Sequence, residues 1–253
     1  MPFMTDTAFN LTGRTALVTG SSRGIGAAIA LALAEAGADI VVHYAGNREA
    51  AEHVAGRIGE LGRRAQLAQA DLTAGDGAAQ LMQQAGDIDI LVANASVQIP
   101  EPWREVSREH FDQQVAANLR ATFELIQLAA PAMLERGWGR ILTVGSVQEA
   151  KPHPDMVVYA ATKCAQTSMV HNLAKQFADR GVTVNNLAPG VILTDRNTGR
   201  LADETYAEKV LNAIPAGSFG EAGDCTGAAL LLCSEAGRYI TGQNLYVDGG
   251  MSL

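Results

Sequence analysis

The sequence predicts an α/β protein with a doubly wound, mainly parallel sheet of seven strands and helices on both faces. Short apolar runs alternate with longer helical patterns along the 253 residues. The short runs are hydrophobic at nearly every position, which is typical of parallel strands buried on both faces. No linker, composition change or solenoid repeat divides the chain, so we expect a single domain over residues 1–253.

The elements are predicted in strict order along the chain. The seven strands are expected at residues 15–19, 38–44, 64–72, 87–95, 140–146, 182–190 and 244–250. The helices are expected at residues 27–37, 48–62, 75–86, 107–136, 157–180 and 225–234. Gly37 and Gly181 close two of these helices, as glycine commonly does. Residues 191–220 are polar and show no clear period, which predicts an irregular segment.

Composition and charge limit the possible functions. Apolar residues make up 47% of the chain and charged residues 18%, which suits a buried globule and excludes long disorder. The net charge of −8, without a Lys and Arg cluster, argues against a nucleic-acid surface. The N-terminus MPFMTDTAFN lacks the basic region of a signal peptide, and no apolar run approaches the roughly 18 residues that span a bilayer. We expect a cytoplasmic protein without a nucleic-acid or membrane partner.

Cysteine and histidine give no sign of a disulfide or a metal site. Cys164, Cys225 and Cys233 lack C-x-x-C spacing, and we expect them to be buried free thiols. The five histidines form no metal-ligand pattern, so no metal is predicted.

A glycine-rich turn follows the first strand and opens the first helix. Residues 19–26 read TGSSRGIG, with glycines at positions 20, 24 and 26. Glycine there allows a tight turn and a close approach of the backbone to a pyrophosphate, which would face the positive end of the helix. A plain strand-to-helix turn is the alternative, but the position between strand and helix favours nucleotide binding.

A second group of residues points to proton transfer. Tyr159 and Lys163 are four residues apart on a predicted helix and project from the same face. A phenol has a pKa of about 10, and we expect the neighbouring ammonium group to lower it. Ser146 ends the fifth strand and would bring a hydroxyl to the same place. Such a pair on its own is also compatible with a core tyrosine beside a solvated lysine.

With these motifs in order, the chain resembles the short-chain dehydrogenase/reductase family over nearly its whole length. TGSSRGIG is similar to that family's cofactor-binding turn, and TGQNLYVDGG to its last strand. The family's catalytic tetrad is matched by Asn118, Ser146, Tyr159 and Lys163. The resemblance implies a Rossmann-type fold and an NAD(P)-dependent oxidoreductase that acts on a secondary alcohol or ketone.

The resemblance also implies a set of cofactor contacts. The residues expected to bind the cofactor are Gly20, Ser22, Arg23, Gly24, Ile25, Gly26, Asp71, Leu72, Asn94, Ala95, Tyr159, Lys163, Pro189, Gly190, Ile192 and Thr194. Asp71 and Leu72 resemble the family's adenine contact. Residues 93–96 read ANAS where the family usually shows NNAG, so Ser96 replaces a glycine beside the ribose, and we expect it to alter the local backbone.

The end of the second strand indicates which dinucleotide is bound. A carboxylate there would bond the adenosine 2′-hydroxyl and repel a 2′-phosphate. The sequence has HYAG at residues 43–46, without an acid, and Asp39 lies at the other end of the strand. Arg23, and with it Arg48, could pair with a phosphate, which predicts NADP in preference to NAD.

The resemblance gives each catalytic residue a role. Tyr159 would exchange the proton of the substrate oxygen, and Ser146 would hydrogen-bond that oxygen. Lys163 would hold the nicotinamide ribose and lower the pKa of Tyr159. Asn118 would fix a water that links Lys163 to solvent.

The substrate is less well defined by the sequence. Residues 191–220 lie where the family keeps a mobile substrate lid. Polar residues near the site could line a pocket for a sugar, a polyol or another small polar alcohol, or could be solvated; they are Gln98, Trp103, Gln148, Glu149 and His153. A 3-oxoacyl-thioester reductase, a non-catalytic NAD(P) sensor and a protein of mainly structural role are the alternatives. The two long predicted helices, 107–136 and 157–180, further suggest a homotetramer.

Overall fold

The computed structural model describes residues 8–253, apart from the side chain at position 200. Residues 1–7, which form most of the segment considered as a signal peptide, lie outside the described residues. The main strands are β1 (Thr15–Val18), β2 (Asp39–Tyr44), β3 (Ala65–Gln69), β4 (Ile90–Ala93), β5 (Gly139–Val144), β6 (Val182–Pro189) and, last in the chain, β9 (Asn244–Val247). All seven pair in parallel in the order β3-β2-β1-β4-β5-β6-β9, which confirms the predicted sheet.

Helices connect the strands and cover both faces of the sheet. They are α1 (Gly24–Glu35), α2 (Arg48–Glu60), α3 (Gly77–Ala85), α4 (Arg108–Val115), α5 (Ala121–Arg136), α6 (Val157–Phe177), α7 (Asp195–Leu201), α8 (Glu204–Leu211) and α9 (Thr226–Cys233). No helix within residues 8–253 combines the length and the apolar character needed to cross a membrane.

The inner strands, β1, β2, β4, β5 and β6, are buried on both faces because their side chains alternate between two cores. In β1, Val18 packs in the core that contains Ile29 and Leu33 of α1. Leu17 points to the opposite core, with Leu125 of α5. A strand between two helical layers needs apolar residues at consecutive positions, which explains the continuous apolar runs in the sequence.

Three predicted features differ from the structure. The segment 191–220 is ordered rather than irregular: α7 and α8 lie between two short strands, β7 (Ile192–Leu193) and β8 (Gly220–Glu221), which pair in parallel. The helix expected at 107–136 is interrupted by one π-helical turn, Ala116–Arg120, between α4 and α5. Cys164 is exposed, whereas Cys225 and Cys233 are buried free thiols as predicted.

The amino end of β5 carries a buried arginine. Arg140 is 2% exposed and donates to the carbonyl oxygens of Ser234, at 3.0 Å, and Gly181, at 3.3 Å. Its guanidinium also pairs with the Glu235 carboxylate at 3.0 Å and lies 4.5 Å from the Trp138 ring centroid. Burial lowers the pKa of Arg140, and the charge of Glu235 opposes that shift. The ion pair between Arg140 and Glu235 therefore lies at the amino end of β5.

Candidate active site

A cavity of about 760 Å³ opens at the carboxyl edge of the sheet. The strand order reverses there between β1 and β4, which is where doubly wound sheets bind their ligands. The predicted residues that line this cavity are Gly20, Ser22, Arg23, Gly24, Ile25, Gly26, Asp71, Leu72, Asn94, Ala95, Ser146, Tyr159, Pro189, Gly190, Ile192 and Thr194. Asn118 and Lys163 are buried and do not line it.

The turn between β1 and α1 requires glycine for steric reasons. Gly20 has a φ of 64°, and a Cβ added to it would lie 3.1 Å from the Cα of Ala95. A Cβ on Gly26 would lie 2.5 Å from the carbonyl oxygen of Gly20. These close approaches bring the helix, the turn and the residues after β4 to one point.

The amino end of α1 offers free donors to the cavity. The helix begins at Gly24, after an extended Arg23, and no side chain caps it. The first N–H groups of a helix have no partner within the helix and attract anions. Arg23 lines the same part of the cavity and pairs with Asp195 at 3.5 Å, both side chains being exposed. The turn therefore fits a pyrophosphate.

Asn94 ties the glycine turn to β4. Its side-chain amide donates to the carbonyl oxygen of Thr19 at 2.8 Å. The hydroxyl of Thr19 accepts from the backbone N–H groups of Asn94 and Ala95, both at 2.9 Å. These bonds fix the two loops that face each other across the cavity.

His43 is a site residue that the sequence did not reveal. Its Nδ1 accepts from the backbone N–H of Gly20 at 2.9 Å, and its Nε2 lies 3.1 Å from the carbonyl oxygen of Ala70. This pairing requires the neutral tautomer with a proton on Nε2. Burial lowers the pKa of His43, which keeps the ring neutral and the glycine turn in place.

The part of the cavity beside the carboxyl end of β2 contains no acid from that strand. The residues there are His43, Tyr44, Ala45, Gly46 and Asn47. Asp39 lies at the far end of β2, as the sequence predicted, and the structure pairs it with Arg64 at 2.8 Å. Arg48 does not line the cavity and pairs with Glu52 at 2.8 Å, so the suggested role of Arg48 at a phosphate is not supported. Of the two arginines considered for a phosphate, Arg23 lines the cavity.

Ser146 and Tyr159 both line the cavity. Ser146 follows β5, and its hydroxyl accepts from the backbone N–H of Gln148 at 3.2 Å. Tyr159 is 5% exposed, and burial raises its pKa. The charge of Arg196, and hydrogen bonding with Ser146 and Ser96, act in the opposite direction on that pKa.

Lys163 lies beneath the tyrosine, with Nζ 5.6 Å from the ring centroid. Its Nζ donates to the carbonyl oxygen of Val144 at 2.7 Å and to Oε1 of Gln166 at 3.0 Å. Burial lowers the pKa of Lys163 to about 7. Burial is the largest effect on both groups and raises the pKa of Tyr159, so the predicted lowering of that pKa by Lys163 stays a prediction.

Gln166 links Lys163 to Asn118 directly. Its amide nitrogen donates to the carbonyl oxygen of Asn118 at 2.7 Å and to the hydroxyl of Thr122 at 3.0 Å. Asn118 lies in the π-helical turn, a feature often found at functional sites. Its side chain accepts from the N–H of Val97 at 2.8 Å. Gln166 therefore connects Lys163 to the main chain of Asn118, while the predicted water that links Lys163 to solvent stays a prediction.

The polar residues considered for the substrate pocket fall into two groups. Gln98, Gln148 and His153 line the cavity. Glu149 turns inward, where its carboxylate accepts from the Ser146 N–H at 2.9 Å and from the hydroxyl of Thr167 at 2.6 Å. Trp103 is 68% exposed and lies outside the cavity. Among residues 8–253, no group of three or more metal-ligating side chains is found.

A crevice that fits a dinucleotide and a buried tyrosine for proton exchange define this chain as a nucleotide-dependent oxidoreductase. A family model described as enoyl-(acyl carrier protein) reductase matches residues 20–252. The 3-oxoacyl-[acyl-carrier-protein] reductase of Staphylococcus aureus is 38% identical over 244 residues, which cover 95% of this chain and 98% of that protein. The chain belongs to the short-chain dehydrogenase/reductase family, which confirms the prediction made from its motifs.

Two solved structures show the same fold. A 3-oxoacyl (acyl-carrier-protein) reductase from Agrobacterium tumefaciens, with NADP bound, is 39% identical with a TM-score of 0.94 and covers 99% of this chain and 100% of that one. A gluconate 5-dehydrogenase from Burkholderia cenocepacia, in complex with NADP and tartrate, is 35% identical with a TM-score of 0.91 and covers 98% of both chains. These relatives act on different substrates, so the family alone does not identify the substrate of this chain.

Proposed function

We propose that this protein transfers a hydride between NADP and a small polar secondary alcohol or ketone, with Tyr159 exchanging the proton of the substrate oxygen. The observation that carries the proposal is the position of Tyr159. It is buried at the centre of the cavity, with Ser146 beside it, at the same sheet edge as the glycine turn. A sensor would need the turn but not this proton site, which disfavours a non-catalytic role.

The residues of the crevice fit NADP. Bound NADP would supply the hydride acceptor or donor. The amino end of α1 would hold the pyrophosphate, and Arg23 would meet the 2′-phosphate in a corner that has no acid from β2. Asp71 and Leu72 would lie at the adenine, and Pro189, Gly190, Ile192 and Thr194 would form the opposite wall. The solved relatives with bound NADP support this choice.

Four residues would take part in the proton chemistry, from the cavity inward. Ser146 would donate to the reacting oxygen, and Tyr159 would take or give its proton. Lys163 would support the tyrosine and hold the ribose, and Gln166 would connect it to the carbonyl of Asn118. A lysine with a pKa of about 7 can gain or lose a proton near neutral pH, which suits a relay.

The substitution Tyr159→Phe tests this assignment. We expect turnover to fall about 10³-fold, because the group that exchanges the proton is removed while the packing stays. NADPH binding, followed by nucleotide fluorescence, should change little. Tyr239→Phe is the matched control, since Tyr239 is 96% exposed. With NADP and NAD run in parallel, kcat/KM should be higher for NADP; near-normal turnover of Tyr159→Phe, or a preference for NAD, would contradict the proposal.

A second candidate function is the reduction of a 3-oxoacyl thioester. The Staphylococcus aureus and Agrobacterium tumefaciens relatives favour it. A substrate screen that follows absorbance of the reduced nicotinamide separates the two, provided that it includes acetoacetyl thioesters beside sugars and polyols.

Assembly and location are further proposals. Large apolar side chains are exposed on the helices expected to form an interface; they are Phe111, Phe123, Leu128 and Val157. Covering them in a homotetramer would remove apolar surface from water. Sedimentation of the full chain at micromolar concentration tests this, and a monomer there would count against it. We propose a cytoplasmic location, because residues 1–10 lack the basic region of a signal peptide. We also propose that α7 and α8 act as a lid over the substrate.

A further inference from the structure

Arg196, the second residue of α7, is fixed beside the catalytic tyrosine by one neighbour. Its Nη1 donates to the hydroxyl of Ser96 at 3.0 Å, and its Nη2 to the carbonyl oxygen of Ser96 at 2.9 Å. Ser96 is also among the groups that oppose the rise that burial causes in the pKa of Tyr159. Ser96 is the residue that departs from the family's NNAG pattern, and a glycine there would offer only the carbonyl. The departure therefore gives Arg196 a second acceptor, the Ser96 hydroxyl, in the cavity that Tyr159 also lines.

The charge of Arg196 is not neutralised by the protein. Among residues 8–253 it forms no ion pair, and the adjacent Asp195 pairs with Arg23 instead. A guanidinium has five N–H donors, and Ser96 accepts from two of them. The remaining donors belong to an exposed side chain that lines the cavity.

The cavity as a whole is more positive than the protein. Its cationic residues are Arg23, Lys151, Arg196 and Lys209, and its acidic ones are Asp71 and Asp195. Asp71 accepts from the backbone N–H of Thr73 at 2.9 Å, in the part assigned to adenine. In a chain with a net charge of −8, this excess of cations favours the entry of an anion.

We propose that Arg196, positioned by Ser96, binds a carboxylate of the substrate, so that the substrate is a small hydroxy acid or the corresponding keto acid. The inference rests on the proposed function and names the substrate class for the same site. The carboxylate would accept from the free donors of Arg196 while the reacting oxygen lies between Ser146 and Tyr159. Tartrate bound to the related gluconate 5-dehydrogenase is a molecule of this class.

The position of Arg196 favours a small acid over an acyl-carrier substrate. The phosphate of a phosphopantetheine arm is separated from the reacting carbonyl by a long chain and would meet cations at the rim of the cavity. Arg196 lines the same cavity as Ser146 and Tyr159, and its charge opposes the rise that burial causes in the pKa of Tyr159. An anion bound to Arg196 would therefore lie near the reacting carbon, as the carboxylate of a small acid does.

The test compares hydroxy acids with neutral polyols of the same carbon number. The probes are sodium salts of four- to six-carbon aldonic and aldaric acids and the matching polyols, oxidised with NADP at constant ionic strength. In the wild type, kcat/KM should be higher for at least one acid than for its polyol. Arg196→Met should lower the ratio of the two kcat/KM values about 100-fold, the value of a lost charged hydrogen-bonding pair, and Ser96→Gly should lower it less. Because the ratio is measured, a general effect on Tyr159 cancels.

Binding without turnover gives a second readout. The preferred acid should raise the Tm of the wild-type protein more than its polyol does, and Arg196→Met should remove that difference. Arg238→Met is the matched control, since Arg238 is exposed and outside the cavity. A preference for every polyol over its acid, or an unchanged ratio in Arg196→Met, would overturn the inference. Turnover of neutral alcohols would then still support the proposed function, whereas Arg196-dependent binding of an acid without turnover would support only the inference.

Discussion

A buried cation lies at each end of β5, and the two cations have different partners. At the amino end, Arg140 is 2% exposed and pairs with the carboxylate of Glu235. At the carboxyl end, Lys163 is 1% exposed and donates to two neutral oxygens, those of Val144 and Gln166. The first end is closed by a carboxylate and an indole ring, and the second opens on the cavity.

The charge of the partner group contributes to the difference in protonation between Arg140 and Lys163. A buried charge is costly unless an opposite charge or strong hydrogen bonds compensate. Arg140 keeps its charge, since a guanidinium does not lose its proton in proteins and Glu235 stabilises it. Among residues 8–253, no carboxylate lies within ion-pair distance of Lys163, and burial brings its pKa to about 7. Arg140 is thus held in an ion pair, whereas the pKa of Lys163 lies close to neutral pH.

Lys163→Met should have the largest effect, and it should be on activity. We expect turnover to fall about 10³-fold, because the residue beneath Tyr159 is lost from the proton site. Stability should respond to pH in a defined direction. The pKa of Lys163 is about 7 in the folded protein and 10.5 in the reference state, so between these values the unfolded chain binds more protons and wild-type stability rises with pH.

The measurement is urea unfolding of wild type and Lys163→Met from pH 7.5 to 9.5. The difference in unfolding free energy should rise in favour of the wild type by at most about 1.4 kcal/mol per pH unit. Below pH 7 the difference should become flat. Parallel pH curves for the two proteins would mean that Lys163 remains charged in the fold.

At the other end of β5, Arg140→Met should reduce stability and leave kcat nearly unchanged. Removing the guanidinium leaves the carbonyl oxygens of Ser234 and Gly181 without this donor. We expect the unfolding free energy to fall by about 3 kcal/mol, as for the loss of one partner of a buried pair. kcat at a temperature where the variant is folded should stay close to that of the wild type. A loss of kcat larger than the loss of stability explains would show that the two ends are coupled.

The contrast also shows what the sequence can predict. Apolar runs and glycines predict the buried parallel strands and the turn. Burial on two faces requires apolar residues, and a close approach of two backbones requires glycine. The Tyr159 and Lys163 spacing places both on one face of α6, as observed. Partners across the fold are not visible in this way. Ser96 and Arg196 are one hundred residues apart, and only the return of the chain after β6 brings them together.

Gln166 is an intermediate case. It lies three residues after Lys163 on α6, so helical spacing places it near the lysine. A glutamine on a helix is nevertheless usually solvated, and its burial here depends on the π-helical turn that presents the carbonyl of Asn118. The same holds for His43, whose role follows from the approach of Gly20 to the end of β2.

Gln166→Glu sharpens the comparison by giving Lys163 the kind of partner that Arg140 has. A carboxylate at the position of Oε1, 3.0 Å from Nζ, should raise the pKa of Lys163 by at least about one pH unit. The pH-dependent rise in stability should then begin at higher pH than in the wild type, which the same urea titrations measure. Gln166→Met is the control, because it removes the bond to Lys163 without adding charge and should not move the onset upward. If both variants follow the wild-type curve, the neutral partner does not determine the protonation of Lys163, and desolvation alone accounts for its low pKa.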